Sequence, residues 1–177
     1  DRETRWREVL VPHTWQTEED SAGYLGVAWY RKRFEAPPDW LAKTVRIEFE
    51  AVTHTAEVKL NGKAVGEHRG KGYTAFTLDL NPALKAGANL LEVRVDNAFN
   101  QAMLPRGNSY DWTPDGGIIR PVTLMVTPPV FIERLEVDAD VDLPGNSAAL
   151  ELRVFVRNAS AGAARVEGAF DIFEDGS

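Results

Sequence analysis

The 177 residues contain no cysteine, which excludes a disulfide framework, a thiolate zinc site and a cysteine nucleophile, and removes the usual clue to redox compartment. Histidine is almost as scarce. His13, His54 and His68 stand far apart without H-E-x-x-H or comparable ligand spacing, so the sequence predicts no metal and no cofactor. No G-x-S-x-G elbow surrounds Ser21 or Ser109, and no phosphate-binding glycine pattern follows a strand; Gly70-Lys71-Gly72-Tyr73 reads as a turn. No apolar run approaches the roughly 20 residues of a membrane-spanning helix, so no membrane partner is expected. Positive charge is in deficit, with 20 Lys and Arg against 27 Asp and Glu and a net charge of -7, which argues against nucleic acid as a partner. Residues 1–10 lack the apolar core of a secretion signal. A chain opening on Asp rather than Met is expected to be a processed or excised piece, with a periplasmic or secreted location expected over a cytoplasmic one.

What the chain has in quantity is alternation. Val45, Ile47, Phe49 and Ala51 alternate with Arg46, Glu48 and Glu50; Ala56, Val58 and Leu60 with Glu57 and Lys59; Leu91, Val93 and Val95 with Glu92, Arg94 and Asp96. A period of two marks strands with one face in a core and one in water. Further strands are read over Ala28–Phe34 and Ile118–Leu124, and Asn61-Gly62 marks a hairpin turn that needs positive φ at both central residues. The only helical temptation, Asn81-Pro82-Ala83-Leu84-Lys85-Ala86-Gly87, is one turn at most. Many short strands with Gly, Pro and Asn turns predict an all-β jelly-roll sandwich.

Pro128-Pro129 interrupts strand pairing and divides residues 1–128 from 129–177. Beyond it, Leu135 to Asp142 and Leu150 to Arg157 alternate again, and Arg165 to Phe173 reads as a third strand. An immunoglobulin-like sandwich takes about seven strands, so the second domain is expected to be incomplete. Asp138, Asp140 and Asp142 superficially match a calcium loop. The sixth position is Leu143 rather than Gly and the twelfth is Ala149 rather than Glu, so they are read as a solvated strand face.

The long irregular stretch from Phe99 to Gly117 is the candidate site, because loops of more than about 12 to 15 residues inside compact domains are usually functional. It holds Tyr110-Asp111-Trp112, a carboxylate between two flat aromatic faces. That pattern suits a sugar, whose hydroxyls bond to the acid while its C–H faces pack on the rings. An ordinary crossover loop, with Trp112 covering an end of the core, is the competing reading. Trp6, Trp15 and Trp29 are candidates to line a cleft, although Trp29 also fits edge packing.

Four stretches in order carry a resemblance: Gly26-Val-Ala-Trp29-Tyr30-Arg31-Lys32-Arg33-Phe34, Ala56-Glu-Val-Lys-Leu60-Asn61-Gly62-Lys63, Val93-Arg-Val-Asp96-Asn97, and Asp115-Gly116-Gly117-Ile118-Ile119-Arg120-Pro121-Val122. Together they resemble the N-terminal sugar-binding domain of glycoside hydrolase family 2, which includes β-galactosidases, β-glucuronidases and β-mannosidases. The resemblance implies a galactose-binding-like jelly roll over 1–128, the start of an immunoglobulin-like domain over 129–177, and a TIM barrel, absent from this chain, that bears both catalytic glutamates. It implies a non-catalytic N-terminal piece of a retaining, exo-acting β-glycosidase, inactive alone. Its partners would be a β-glycoside and that barrel, with a homo-oligomer as a further expectation. Counting back from Gly117-Ile118-x-Arg120, the family's substrate-reaching loop aspartate falls on Asp111, flanked by Tyr110 and Trp112. A free-standing carbohydrate-binding module, or a sandwich serving assembly, would keep the same fold without the barrel.

Overall fold

Alternation becomes strand pairing in the computed structural model, which describes residues 6–99 and 115–173. The chain divides into two compact units, Asp1–Val126 and Thr127–Ser177. The first unit carries β1 (His13–Thr14), β2 (Val27–Ala36), β3 (Thr44–Phe49), β4 (Val52–Thr53), β5 (Thr55–Leu60), β6 (Lys63–His68), β7 (Phe76–Asp79), β8 (Gly87–Asp96), β9 (Gly117–Ile118) and β10 (Val122–Thr127). Among the described residues there is no α-helix, only 3₁₀ turns at Trp15–Thr17 and Pro38–Ala42. The protein is all-β.

A four-stranded sheet in the order β2-β8-β5-β6 supplies one inner face, and a three-stranded sheet in the order β10-β3-β7 another. Val45, Ile47 and Phe49 of β3 meet Ala56, Val58 and Leu60 of β5 and Leu91, Val93 and Val95 of β8 in one buried cluster. These are the residues whose period of two singles them out in the sequence. Each fully buried Val, Leu, Ile or Phe is worth about 1.5 to 3 kcal/mol, so the cluster defines the sandwich. Asn61 and Gly62 take φ of 53° and 79°, the geometry the hairpin between β5 and β6 requires. The Asn61 amide also donates to Ala83 O and to Asn89 Oδ1, both at 2.8 Å, which ties the turn to the start of β8. The Asn81-Pro82 stretch forms a single turn closed by Leu84 N donating to Leu80 O at 2.9 Å.

The strand expected over Ile118–Leu124 is two strands. β9 ends at Ile118 and β10 starts at Val122, because Pro121 has no N–H to continue a ladder. At the break Ile119 N donates to Ala51 O at 3.2 Å and Glu50 N to Pro121 O at 3.1 Å. The chain thereby leaves the small sheet β1-β9-β4 and enters β10-β3-β7.

The second unit is a long antiparallel hairpin of β11 (Val130–Asp142) and β12 (Ser147–Asn158). Its register places Leu135 opposite Val154, Val137 opposite Leu152 and Ala139 opposite Leu150 on one face, and Glu136 opposite Arg153 on the other. Asp138, Asp140 and Asp142 are all exposed. Arg165 to Phe173, expected as a third strand, is not one. Alternating side chains make a segment compatible with a sheet, but a strand exists only through a cross-strand ladder, and this segment has none among the described residues.

Candidate functional site

β8 ends at Asp96 and β9 begins at Gly117, and the residues that flank these two strand ends, Asn97 and Gly116, are held against each other. At the outgoing end Asn97 is buried; its N–H donates to Gly26 O at 3.1 Å and its Oδ1 accepts from Gly26 N at 2.9 Å. Ala98 N donates to Asp96 Oδ1 at 2.9 Å, an Asx turn that aims the chain outward. At the returning end Gly116 N donates to Gln16 Oε1 at 2.6 Å, and Trp15 N donates to Gly116 O at 3.1 Å. A Cβ on Gly116 would strike the buried Trp15 ring and lie 2.5 Å from Asn97 Nδ2, so both ends and the indole share one contact point. Gly117 adopts φ of 148° and a Cβ there would meet His13 O and, at 2.8 Å, Tyr30 Oη. The Gly116-Gly117 pair is therefore dictated by close approach as well as by backbone angle.

Trp15 is the floor beneath these ends. Thr14 caps its 3₁₀ turn by accepting from Gln16 N, the indole N–H donates to Tyr24 O at 3.1 Å, and only 6% of the residue is exposed. Ser21 Oγ donates to Trp15 O at 2.8 Å, so this hydroxyl has a structural use. His13 Nδ1 and Tyr30 Oη lie 2.8 Å apart, and burial pushes the Tyr30 phenol up to about 12 against the opposing pull of the Ile118 backbone. His13 Nε2 is buried without a hydrogen-bond partner among the described residues, and Glu18 Oε1 stands 3.5 Å away. Arg7 bridges to Asp20 at 2.7 Å and Glu18 at 2.6 Å, and these acids, Asp20 foremost, hold its guanidinium above the ordinary arginine range.

Beside this network lies a cleft of about 520 Å³ along the free edge of β2, to which Trp6, Trp15 and Trp29 all contribute, with Tyr24 and Tyr30. The three tryptophans do line one cleft. Trp29 is 41% exposed on the outer face of β2, which identifies it as a surface ring rather than a core residue. Tyr110, Asp111 and Trp112 lie outside the described residues. The other histidines are elsewhere: His68 stacks on Phe76 at 4.3 Å, and His54 is buried near Gly72, its pKa lowered by burial. Among the described residues no three His, Asp or Glu side chains are grouped to hold a metal ion. Gln16, which clamps the returning end of the loop, carries no local sequence signal, since its partner lies 100 residues away.

An antiparallel β-sandwich of short strands, with no α-helix among the described residues, is the architecture of a jelly roll. The profile of "Glycosyl hydrolases family 2, sugar binding domain" matches residues 6–128, and the chain belongs to that family. It is 41% identical over 117 residues to a β-galactosidase of Thermoanaerobacter pseudethanolicus, covering 65% of this chain and 15% of the relative. To a β-glucuronidase of Bacteroides fragilis it is 33% identical over 135 residues, 73% of this chain and 19% of the relative. Among solved structures, a GH2 β-galacturonidase from Eisenbergiella tayi bound to galacturonate superposes with a TM-score of 0.74 at 30% identity, over 87% of this chain and 26% of that one. The chain thus spans 15% and 19% of the lengths of these two curated relatives.

Proposed function

We propose that the chain is the N-terminal region of a retaining, exo-acting β-glycosidase, with a sugar-binding domain over 1–128 and the beginning of an immunoglobulin-like domain over 129–177. Retention needs two carboxyls about 5 to 5.5 Å apart, one as acid/base and one as nucleophile, and in this reading a barrel elsewhere in the polypeptide carries them. The role of the chain is to present the loop between Asn97 and Gly116. Asp111 accepts hydrogen bonds from hydroxyls of the terminal sugar, and Tyr110 and Trp112 pack on its C–H faces. The observation that best supports this reading is the clamp at the loop's ends. A loop fastened by Gln16, Trp15 and Asn97 can hold a side chain in register with a partner domain, whereas a loose connection could not.

The test is Asp111→Asn in the full-length parent, assayed on p-nitrophenyl β-galactoside, β-glucuronide and β-mannoside. A charged acceptor on a sugar hydroxyl is worth roughly 1.5 to 3 kcal/mol, so kcat/KM on the preferred substrate should fall about 10- to 150-fold with thermal unfolding unchanged. Wild-type activity in a folded Asp111→Asn enzyme would refute the assignment.

A further inference from the structure

The outer face of the four-stranded sheet holds a row of side chains that neither the sandwich nor the loop uses. Trp29, Arg31 and Arg33 alternate with inward residues along β2, so they stand in line on one face, spanning roughly 13 Å at about 3.3 Å per residue. Trp29 is 41% exposed and Trp6, which flanks the row, is 46% exposed. The two rings stand half in water along one edge of the sheet and contribute to the same cleft. The row is also cationic within a chain of net charge -7. The Arg31 guanidinium lies 4.1 Å from the centre of the Trp6 ring while its Nε holds Glu92 at 3.1 Å, and Lys59 Nζ sits 5.8 Å from the Trp29 ring centre. Arg33 is exposed and has no ion pair among the described residues, although Glu35 follows two positions on along the same face. The other acids of this face, Glu57, Glu67 and Asp96, are engaged by Arg69 and Arg94.

We infer that this row is a binding site for a short uronate-bearing oligosaccharide, one sugar ring stacking on Trp29 and the carboxylate of a further sugar along the chain reaching Arg33. Stacking uses the apolar face of a pyranose, and the guanidinium fork matches a carboxylate. A neutral saccharide would use the ring and leave Arg33 idle. A single-stranded nucleic acid could also stack on Trp29, but the net charge of -7 repels a long polyanion, whereas a short acidic sugar spans little beyond Arg33 and Lys59, the cations of the row that hold no acid among the described residues. The inference does not rest on the role of Asp111.

The test titrates the 177-residue chain with trigalacturonate, galactotriose and a hexameric oligothymidine, following tryptophan fluorescence and backbone amide shifts. Trigalacturonate should bind most tightly of the three, weaken as salt is raised, and shift the amides of Trp29, Arg31, Arg33 and Lys59. Arg33→Gln, an exposed change that spares the fold, should weaken trigalacturonate about fivefold and leave galactotriose as it was. Trp29→Ala should weaken both sugars about tenfold, and Trp29→Phe should restore most of the loss. The inference is overturned by an oligothymidine that outcompetes trigalacturonate, by Arg33→Gln leaving trigalacturonate binding intact, or by amide shifts confined to residues 110–112. That last pattern would support the loop reading alone.

Discussion

Gly116→Ala is the sharpest probe of the clamp. The added methyl has nowhere to go: it would overlap the ring of Trp15, which is 6% exposed, and lie 2.5 Å from the amide nitrogen of Asn97, which is 1% exposed. Overpacking a filled core costs about 1 to 3 kcal/mol. Relief by moving the backbone would stretch the bond from Gly116 N to Gln16 Oε1 (2.6 Å) and that from Trp15 N to Gly116 O (3.1 Å). Each is worth about 1 kcal/mol. A loss of about 3 kcal/mol is expected, which for a unit of this size lowers the melting temperature by roughly 10 °C in a reversible thermal scan followed by circular dichroism. Gly23→Ala is the matched control, because a Cβ there meets nothing within 4 Å; its melting temperature should stay within about 2 °C of wild type. A Gly116→Ala protein that melts with wild type would mean that the Trp15 contact gives way freely and that the loop's ends are not clamped as described.

Other expectations concern titration and the hairpin. The raised Tyr30 phenol, at about 12 against an ordinary 10, contributes stability that is full below pH 10 and is lost as pH rises from there through 12; Tyr30→Phe should flatten this alkaline limb in urea unfolding measured between pH 9 and 12, while costing about 1 kcal/mol at neutrality through the lost His13 contact. Burial lowers the pKa of His54, so below pH 6.5 the unfolded chain takes up a proton that the folded one resists. Stability should fall as pH drops below that value, and an NMR titration placing His54 at or above 6.5 would contradict this account. Asn61→Ala loses both a residue suited to φ of 53° and the amide bonds to Ala83 and Asn89, so a cost of about 2 kcal/mol is expected in urea titration.

The sandwich was legible because its inward residues announce themselves two apart, and because Asn61-Gly62 is a turn that few other pairs can make. Legibility failed where a strand depends on what lies beside it. Pro121 splits Ile118–Leu124 although the side chains alternate through it, and Arg165–Phe173 alternates without a ladder. At the site, composition and length picked out residues 99–117. The clamp was hidden, because Gln16 and Gly116 are 100 positions apart and a lone glutamine carries no periodicity to be read. The cationic row on β2 was not legible: Arg31-Lys32-Arg33 reads in the sequence as part of a strand, and only the register separates Arg31 and Arg33, on the outer face with Trp29, from Lys32 between them.

Because Gly116 packs against both the Trp15 indole and the Asn97 amide, the sandwich itself brings Asn97 and Gly116 together, and a segment joining them can differ in length and content without moving either. For a flexible segment, doubling its length would cost only about 0.6 kcal/mol of closure entropy. The sandwich is in effect a socket with fixed terminals. A segment from another family member, cut at the positions of Ala98 and Asp115, should plug into it without disturbing Val45, Val58 or Val93. If the loop acts as proposed, such an exchange of fewer than twenty residues should carry sugar preference with it, and a swap that leaves preference unchanged would count against the proposal.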